Sequence, residues 1–232
     1  MHYVHTETDL DTALTALVKA DPRFGALLAA AGRPPLRRRV GGFAGLIATV
    51  VSQQLSTASA AAIWGRLEAA FDPFEPEAIR RARAPRLARL GLSGPKIRAL
   101  KEIARAVGSG TLALAGLGEL SADDAHAALT AVHGIGPWTA NIYLLSSLGH
   151  ADAWPAGDLA LQEAARRAFG LAARPSAKDM VTLAEPWRPW RAVAARVLWT
   201  YYRTLKRRDG APVQPTQKTR GGHGRRTRRT KA

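Results

Sequence analysis

Between Asp9 and Tyr201, apolar residues recur three and four positions apart, and no stretch alternates them with polar residues over a strand's length. That periodicity restricts the chain to helices, and the expected fold class is all-α. Leu10, Ala13, Leu14, Leu17 and Val18 form one stripe behind Asp9, which reads as an N-cap. Asp21-Pro22 opens a second helix that Gly32 ends. An apolar helix follows Gly41-Gly42 from about Phe43 to Gln53, and Ser56 caps the next, with Ile63, Trp64 and Leu67 inward. Ser93-Gly94-Pro95 begins another. Ser121 with Asp124 resembles a capping box for a helix running to about Val132. Further helices start near Trp138, at Asp158 and behind Ser176 with Asp179. The last runs from Pro189 to about Leu205. No period of solenoid length is present.

The formal net charge is +16, a surplus that favours a polyanionic partner. It is unevenly placed. From Lys206 onward ten Lys or Arg face one acid, Asp209, which leaves +7 for residues 1–205. The tail from 206 to 232 has almost no apolar residues and is expected to be disordered. No cysteine is present, which excludes disulfides, thiol nucleophiles and cysteine-held zinc or iron–sulfur clusters. No cofactor or metal is expected. No run of eighteen apolar residues suggests a membrane span, and Met1 to Asp11 does not look like a signal peptide, so a cytoplasmic, nucleoid-associated monomer is the expectation.

The most informative stretch is Leu129-Thr-Ala-Val-His-Gly-Ile-Gly-Pro-Trp-Thr-Ala-Asn141. A helix stops, two glycines flank one apolar residue, and a helix restarts at proline. Glycine permits positive φ and close approach of the backbone to a ligand. Ile135 can plug between the helices while the amides of Gly134, Ile135, Gly136 and the new helix start point outward, a nest suited to a phosphate oxygen. The same string also fits an ordinary helix–turn–helix corner.

Taken with Val51-Ser-Gln-Gln-Leu-Ser56, Gly91-Leu-Ser-Gly-Pro-Lys96, Asp158 and Trp187-Arg-Pro-Trp-Arg191, in that order along the chain, this segment resembles the helix-hairpin-helix DNA glycosylases whose hairpin Gly-Pro is followed by a catalytic Asp. The likeness covers roughly Phe43 to Tyr202 and is closest to the alkylation-repair branch, 3-methyladenine DNA glycosylase II. It implies a two-lobed helical core over residues 1–205, one lobe from both chain ends and a middle lobe over about 45–150, with a central cleft. It implies double-stranded DNA containing damaged bases as partner, with Thr139 and Lys96 joining the hairpin on the DNA backbone. Too short a stretch precedes Phe43 for the β-rich domain that some relatives carry.

Asp158 lies 22 positions after Gly136 and starts a helix. An N-cap and a catalytic carboxylate are compatible readings, because helix-end amides hold the carboxylate ionised and an anion stabilises the oxocarbenium that develops during N-glycosidic cleavage. The resemblance gives Asp158 the catalytic role. Relatives that also cut the DNA backbone carry a lysine where Trp138 stands, so a monofunctional enzyme is expected. Trp138, Trp199 and Tyr143 resemble an aromatic pocket for an extruded, cationic alkylated purine, although tryptophans on helices are also common core residues. Where close relatives often carry an aromatic after the hairpin helix's Asn, Ile142 stands here. Gln54, or Leu55 if the register slips by one, takes the wedge position that fills the gap left by the flipped base. A non-catalytic helix-hairpin-helix DNA-binding protein, or a glycosylase for oxidised or mismatched bases, are the competing readings.

Overall fold

Short polar side chains cap five helices in the computed structural model, which describes residues 2–209, with side chains through Lys206. Helix α1 (Glu7–Ala20) begins behind Thr6. Asp9 is not the cap but its partner: Asp9 Oδ2 accepts the Thr6 N–H at 2.9 Å, closing a capping box. Ser56 caps α4 (Thr57–Ala70), Ser121 caps α8 (Ala122–Thr130) and Ser176 caps α11 (Ala177–Ala184). Each such cap contributes about 1 kcal/mol. Helix α2 (Arg23–Ala31) ends at Gly32 with φ +79°, as its position predicts.

Helix α3 (Gly42–Ser52) is the most apolar and lies in the centre of the molecule, packed on α4, on α7 (Gly94–Gly108) and on α9 (Pro137–Tyr143). Between α4 and α7 run two six-residue helices, α5 (Pro76–Arg81) and α6 (Ala84–Arg89), which the periodicity left unassigned. Helix α9 continues as a π-helical turn, Leu144–Leu148, ended by Gly149 in the left-handed region. Helix α10 (Leu159–Ala168) follows Asp158, and α12 (Arg191–Asp209), the last described helix, packs on α10 and on the N-terminal helices α1 and α2. One contiguous apolar core joins all of these. Among the described residues there is no strand, only an isolated bridge between Tyr3 and His150.

The last helix runs four residues past the expected boundary at Leu205. Lys206 suits the last turns of a helix, where the dipole favours cations. The rest of the expected disordered tail, residues 210–232, lies outside the described residues.

Two polar clusters fix the approach to α12. Trp187 is fully buried and donates its indole N–H to Asp21 Oδ2 at 2.9 Å. Arg191, buried, grips Asp152 through Nε (2.7 Å) and Nη2 (2.8 Å), and Arg188 reaches the same carboxylate at 2.6 Å and Asp123 at 3.1 Å. The Trp187-Arg-Pro-Trp-Arg191 string therefore ties α12 to the start of α8 and to the chain leading into Asp158.

Candidate active site

Asp158 is the N-cap of α10. Its Oδ1 accepts the Leu161 N–H at 2.9 Å, the ordinary capping bond. The carboxylate is not confined to its own helix. Trp138 Nε1 on α9 donates to Oδ2 at 2.8 Å, and Trp199 Nε1 on α12 donates to Oδ1 at 3.2 Å. Three N–H groups from three helices converge on one half-buried carboxylate. None of the donors is a cation, so the negative charge is oriented but not cancelled.

The chain leading into Asp158 is held firmly. Asn141 Oδ1 accepts the Trp154 N–H at 3.1 Å, its Nδ2 donates to Pro137 O at 3.0 Å, Gln162 donates to Ala156 O at 2.9 Å, and Trp154 Nε1 donates to Met180 O at 3.0 Å. Asn141, one turn after Trp138, thus locks the Asp158 loop to the helix that supplies the indole donor.

Asp158, Trp138 and Trp199 share a pocket of about 370 Å³, closed by Ile142, Leu145, Ser146 and Thr200 and edged by Arg37, Arg39, Arg196, Tyr202 and Arg203. That volume suits one small ligand group. Burial holds the Arg196 guanidinium down at about 10, still cationic at neutral pH. A larger groove of about 870 Å³ beside α5 and α6 has no comparable chemistry, since its Glu77 is taken by Arg80 and Arg81. Among the described residues no group of three or more His, Cys, Asp or Glu could hold a metal ion.

The hairpin lies between α8 and α9. Gly134 has φ +96°, and a Cβ there would stand 2.6–2.7 Å from Ala99 Cβ and Cα, so this glycine serves both the turn and close packing on α7. Gly136 has φ −79°; nothing lies within 4 Å of where its Cβ would be, which leaves its backbone open to approach. Ile135 is 4% exposed and plugs the corner as expected. Its own N–H is not free but bonded to Val132 O at 3.0 Å; those of Gly134 and Gly136 have no acceptor among the described residues.

A family model for the HhH-GPD superfamily base excision DNA repair proteins matches residues 47–189. The chain belongs to this superfamily. Within it, the chain is similar to a DNA-3-methyladenine glycosylase of Bacillus subtilis, 30% identical over 216 residues that cover 85% of this chain and 70% of the relative. Among solved structures it is similar to a DNA-3-methyladenine glycosidase from Bacillus halodurans (TM-score 0.75, 30% identity, 89% of this chain and 95% of that one). A Schizosaccharomyces pombe 3-methyladenine DNA glycosylase in complex with abasic DNA is also similar (TM-score 0.70, 30% identity, 81% and 95%).

Against the HhH-GPD pattern, three expected site residues are elsewhere. Tyr143 does not line the pocket. It is fully buried, with its hydroxyl 3.3 Å from Gly42 O and its pKa pushed up to about 12 by desolvation. Ile142, four residues after Trp138, takes the pocket position because residues four apart share a helix face and the next one turns away. Thr139 is fully buried, its hydroxyl accepting from Gln53 Nε2, and is out of reach of a DNA strand. Lys96 turns inward, donating to Val51 O at 2.7 Å and Gln53 O at 2.9 Å; it satisfies orphan carbonyls at the end of α3 instead of facing a phosphate. Lys96 thereby braces the turn that carries Gln54 and Leu55. Both are exposed, and Gln54 sits in the left-handed region at φ +55°. Arg37, Arg39 and the Ser146 wall had no sequence signal, because they come from an irregular segment and from a π-helical turn; Arg196 and Arg203 lie on α12.

Proposed function

We propose that this protein is a monofunctional DNA glycosylase that extrudes alkylated purines of the 3-methyladenine type from double-stranded DNA and hydrolyses their N-glycosidic bond. One observation carries the reading: the Asp158 carboxylate, fixed by indole N–H groups from two other helices, faces a base-sized pocket with its charge uncancelled. The similarity to glycosylases of this type supports it.

In this reading the target nucleotide leaves the duplex and its base enters beside Trp138 and Trp199. The C1′–N bond breaks, the base departs with the electron pair, and Asp158 stabilises the cationic sugar left behind. Water then adds at C1′ and releases a proton, leaving an abasic site. Alkylation at a ring nitrogen makes the purine a good leaving group, so no strong general acid is required. Trp138 cannot form an imine, so the DNA backbone stays intact. Gly134 and Gly136 hold the strand in register through backbone contacts, and Gln54, with Leu55 beside it, fills the gap in the duplex. The cleft lies between a lobe made from both chain ends and a middle lobe over about residues 45–150. The enzyme acts as a monomer.

Release of free 3-methyladenine or 7-methylguanine from methylated duplex DNA tests the proposal. Wild type is expected to release base and Asp158→Asn to release it at least about 100-fold more slowly. Equal rates would remove Asp158 from the chemistry. Binding without release of any damaged base would leave a non-catalytic DNA-binding protein.

A further inference from the structure

Elsewhere in the described residues many arginines pair with carboxylates. Arg23 pairs with Asp21, Arg33 with Glu7 and Asp11, Arg80 and Arg81 with Glu77, Arg105 with Glu102, Arg166 and Arg167 with Glu163, and Arg188 and Arg191 with Asp152. Others, such as Arg66 and Arg86, reach backbone carbonyls, and the mouth of the Asp158 pocket gathers several arginines without a carboxylate partner in one place. Arg37, Arg39 and Arg203 line that mouth; the Arg203 guanidinium bonds a hydroxyl, that of Thr200, and no carboxylate pair is found for the three among the described residues.

Arg37 is held in place from both sides. Arg196, buried, donates to Leu36 O and to Leu145 O (3.1 Å), and the Arg39 N–H donates to Ser146 O at 2.9 Å. Between these two anchors Arg37 adopts φ +46°, a left-handed conformation that non-glycine residues rarely adopt and that persists only where the surroundings impose it. Across the pocket mouth on α12, Arg203 Nη2 donates to Thr200 Oγ1 at 3.0 Å. Arg37 and Arg203 line the same pocket, and partial desolvation, then the like charge of Arg37, hold Arg203 below its ordinary pKa. Two exposed, mutually repelling cations, one on a strained backbone and one anchored to its own helix, gain most from an anion seated between them.

We propose that Arg37 and Arg203 form a clamp for one DNA backbone phosphate next to the extruded nucleotide. The clamp rests on the glycosylase reading and names a contact that reading leaves out. It also reduces an electrostatic conflict. A cationic alkylated base would otherwise enter past uncompensated guanidinium groups; a phosphate between Arg37 and Arg203 offsets one of their two charges as the base arrives. Guanidinium suits this task because its planar fork can meet two phosphate oxygens.

The test is binding to a duplex containing an uncleavable tetrahydrofuran abasic analogue, measured as a function of salt. A protein that neutralises Z phosphates has a slope of log K against log salt of about −0.9Z. Arg37→Gln and Arg203→Gln should each weaken binding by about tenfold at low salt and flatten the slope by about 0.9. The double variant should flatten it no further, because both side chains serve one phosphate. Arg203→Lys should keep the wild-type slope, and Arg80→Gln, which breaks a carboxylate pair, should leave slope and affinity unchanged. Unfolding temperatures should stay at the wild-type value, since both side chains are exposed. Slopes identical to wild type in both single variants would overturn the clamp, and a further full step in the double variant would overturn the shared phosphate. The analogue has no base to release, so the two readings fail separately. If wild type freed no methylated purine while the slopes fell as described, the clamp would stand and the glycosylase reading would fall.

Discussion

Two aspartates in this molecule each begin or precede a helix and each accept an indole N–H, yet they sit in opposite electrostatic situations. Asp21 takes Trp187 Nε1 at 2.9 Å and is also gripped by Arg23 through Nε at 2.9 Å and Nη2 at 2.6 Å, in a site only 7% exposed. Asp158 takes two indoles and one backbone N–H and no guanidinium. Arg23 neutralises Asp21 and, with the other bonds, lowers its pKa. Neutral donors aim Asp158 and leave its field intact. The same pair of residue types therefore makes a structural pin at one end of α12 and a candidate catalytic anion further along it. What distinguishes them is the presence of a counter-cation and the opening of the site, not the hydrogen bonds.

The strongest way to break this contrast is to neutralise each carboxylate and look for a crossover. Asp158→Asn should cost on the order of 10²–10³ in the single-turnover rate of base release, with little change in thermal unfolding. Asp21→Ala should do the reverse. It leaves a buried indole N–H without an acceptor, which costs about 1–3 kcal/mol, while its ion pair adds little because Arg23 is half exposed. A loss of about 2 kcal/mol lowers Tm by roughly 4–8 °C, and base release below that Tm should match wild type. If Asp21→Ala instead abolished release in folded protein, the two aspartates would not be separable in this way.

A smaller effect sharpens the role of the donors. Trp138→Phe and Trp199→Phe each keep a ring and remove one N–H from the Asp158 carboxylate. Each should slow release by about tenfold, the value of one hydrogen bond to a charged group, and Trp138→Phe should be the worse, since its bond is 2.8 Å against 3.2 Å. Trp187→Phe should change Tm and not the rate. Equal rates in all three variants, measured on methylated duplex, would mean that the indole donors do not position the anion.

These contrasts were only partly legible in the sequence. Cap residues and three-four periodicity located most of the long helices, because each signal is local and the apolar stripe repeats over several turns. Helices α5 and α6 escaped because six residues hold too little periodicity, although Pro76 and Pro85 mark their first turns. Asp158, Trp138 and Trp199 could be named together because a family resemblance aligned them; nothing local says that residues 20 and 41 positions from Asp158 meet its carboxylate. Tyr143 and Ile142 were exchanged for a geometric reason, one step of helical rotation. Lys96 and Thr139 looked like surface contacts, but a carbonyl left over at the end of α3 and a glutamine from the next turn claimed them. Asp21 with Trp187 spans 166 positions and has no sequence signature.

The finest test of the contrast uses pH. The Asp21 carboxyl is held below its ordinary value, first by the Arg23 hydrogen bonds and then by Trp187 and the Arg23 backbone, while burial opposes them. A carboxylate whose folded pKa is depressed contributes stability that is fully present above its unfolded value, about 3.9, and is lost as pH falls through the folded value. Asp21→Asn keeps an acceptor for the indole and removes only the charge. The gap in unfolding free energy between wild type and Asp21→Asn should therefore be about 1 kcal/mol at pH 6–7, after screening at the exposed Arg23, and constant down to about pH 5. It should then close as the solution is acidified below pH 4. Denaturant unfolding at each pH reads this directly. A gap that stayed constant to pH 3 would mean that the Arg23 pair contributes nothing through charge, and Asp21 would differ from Asp158 by burial alone.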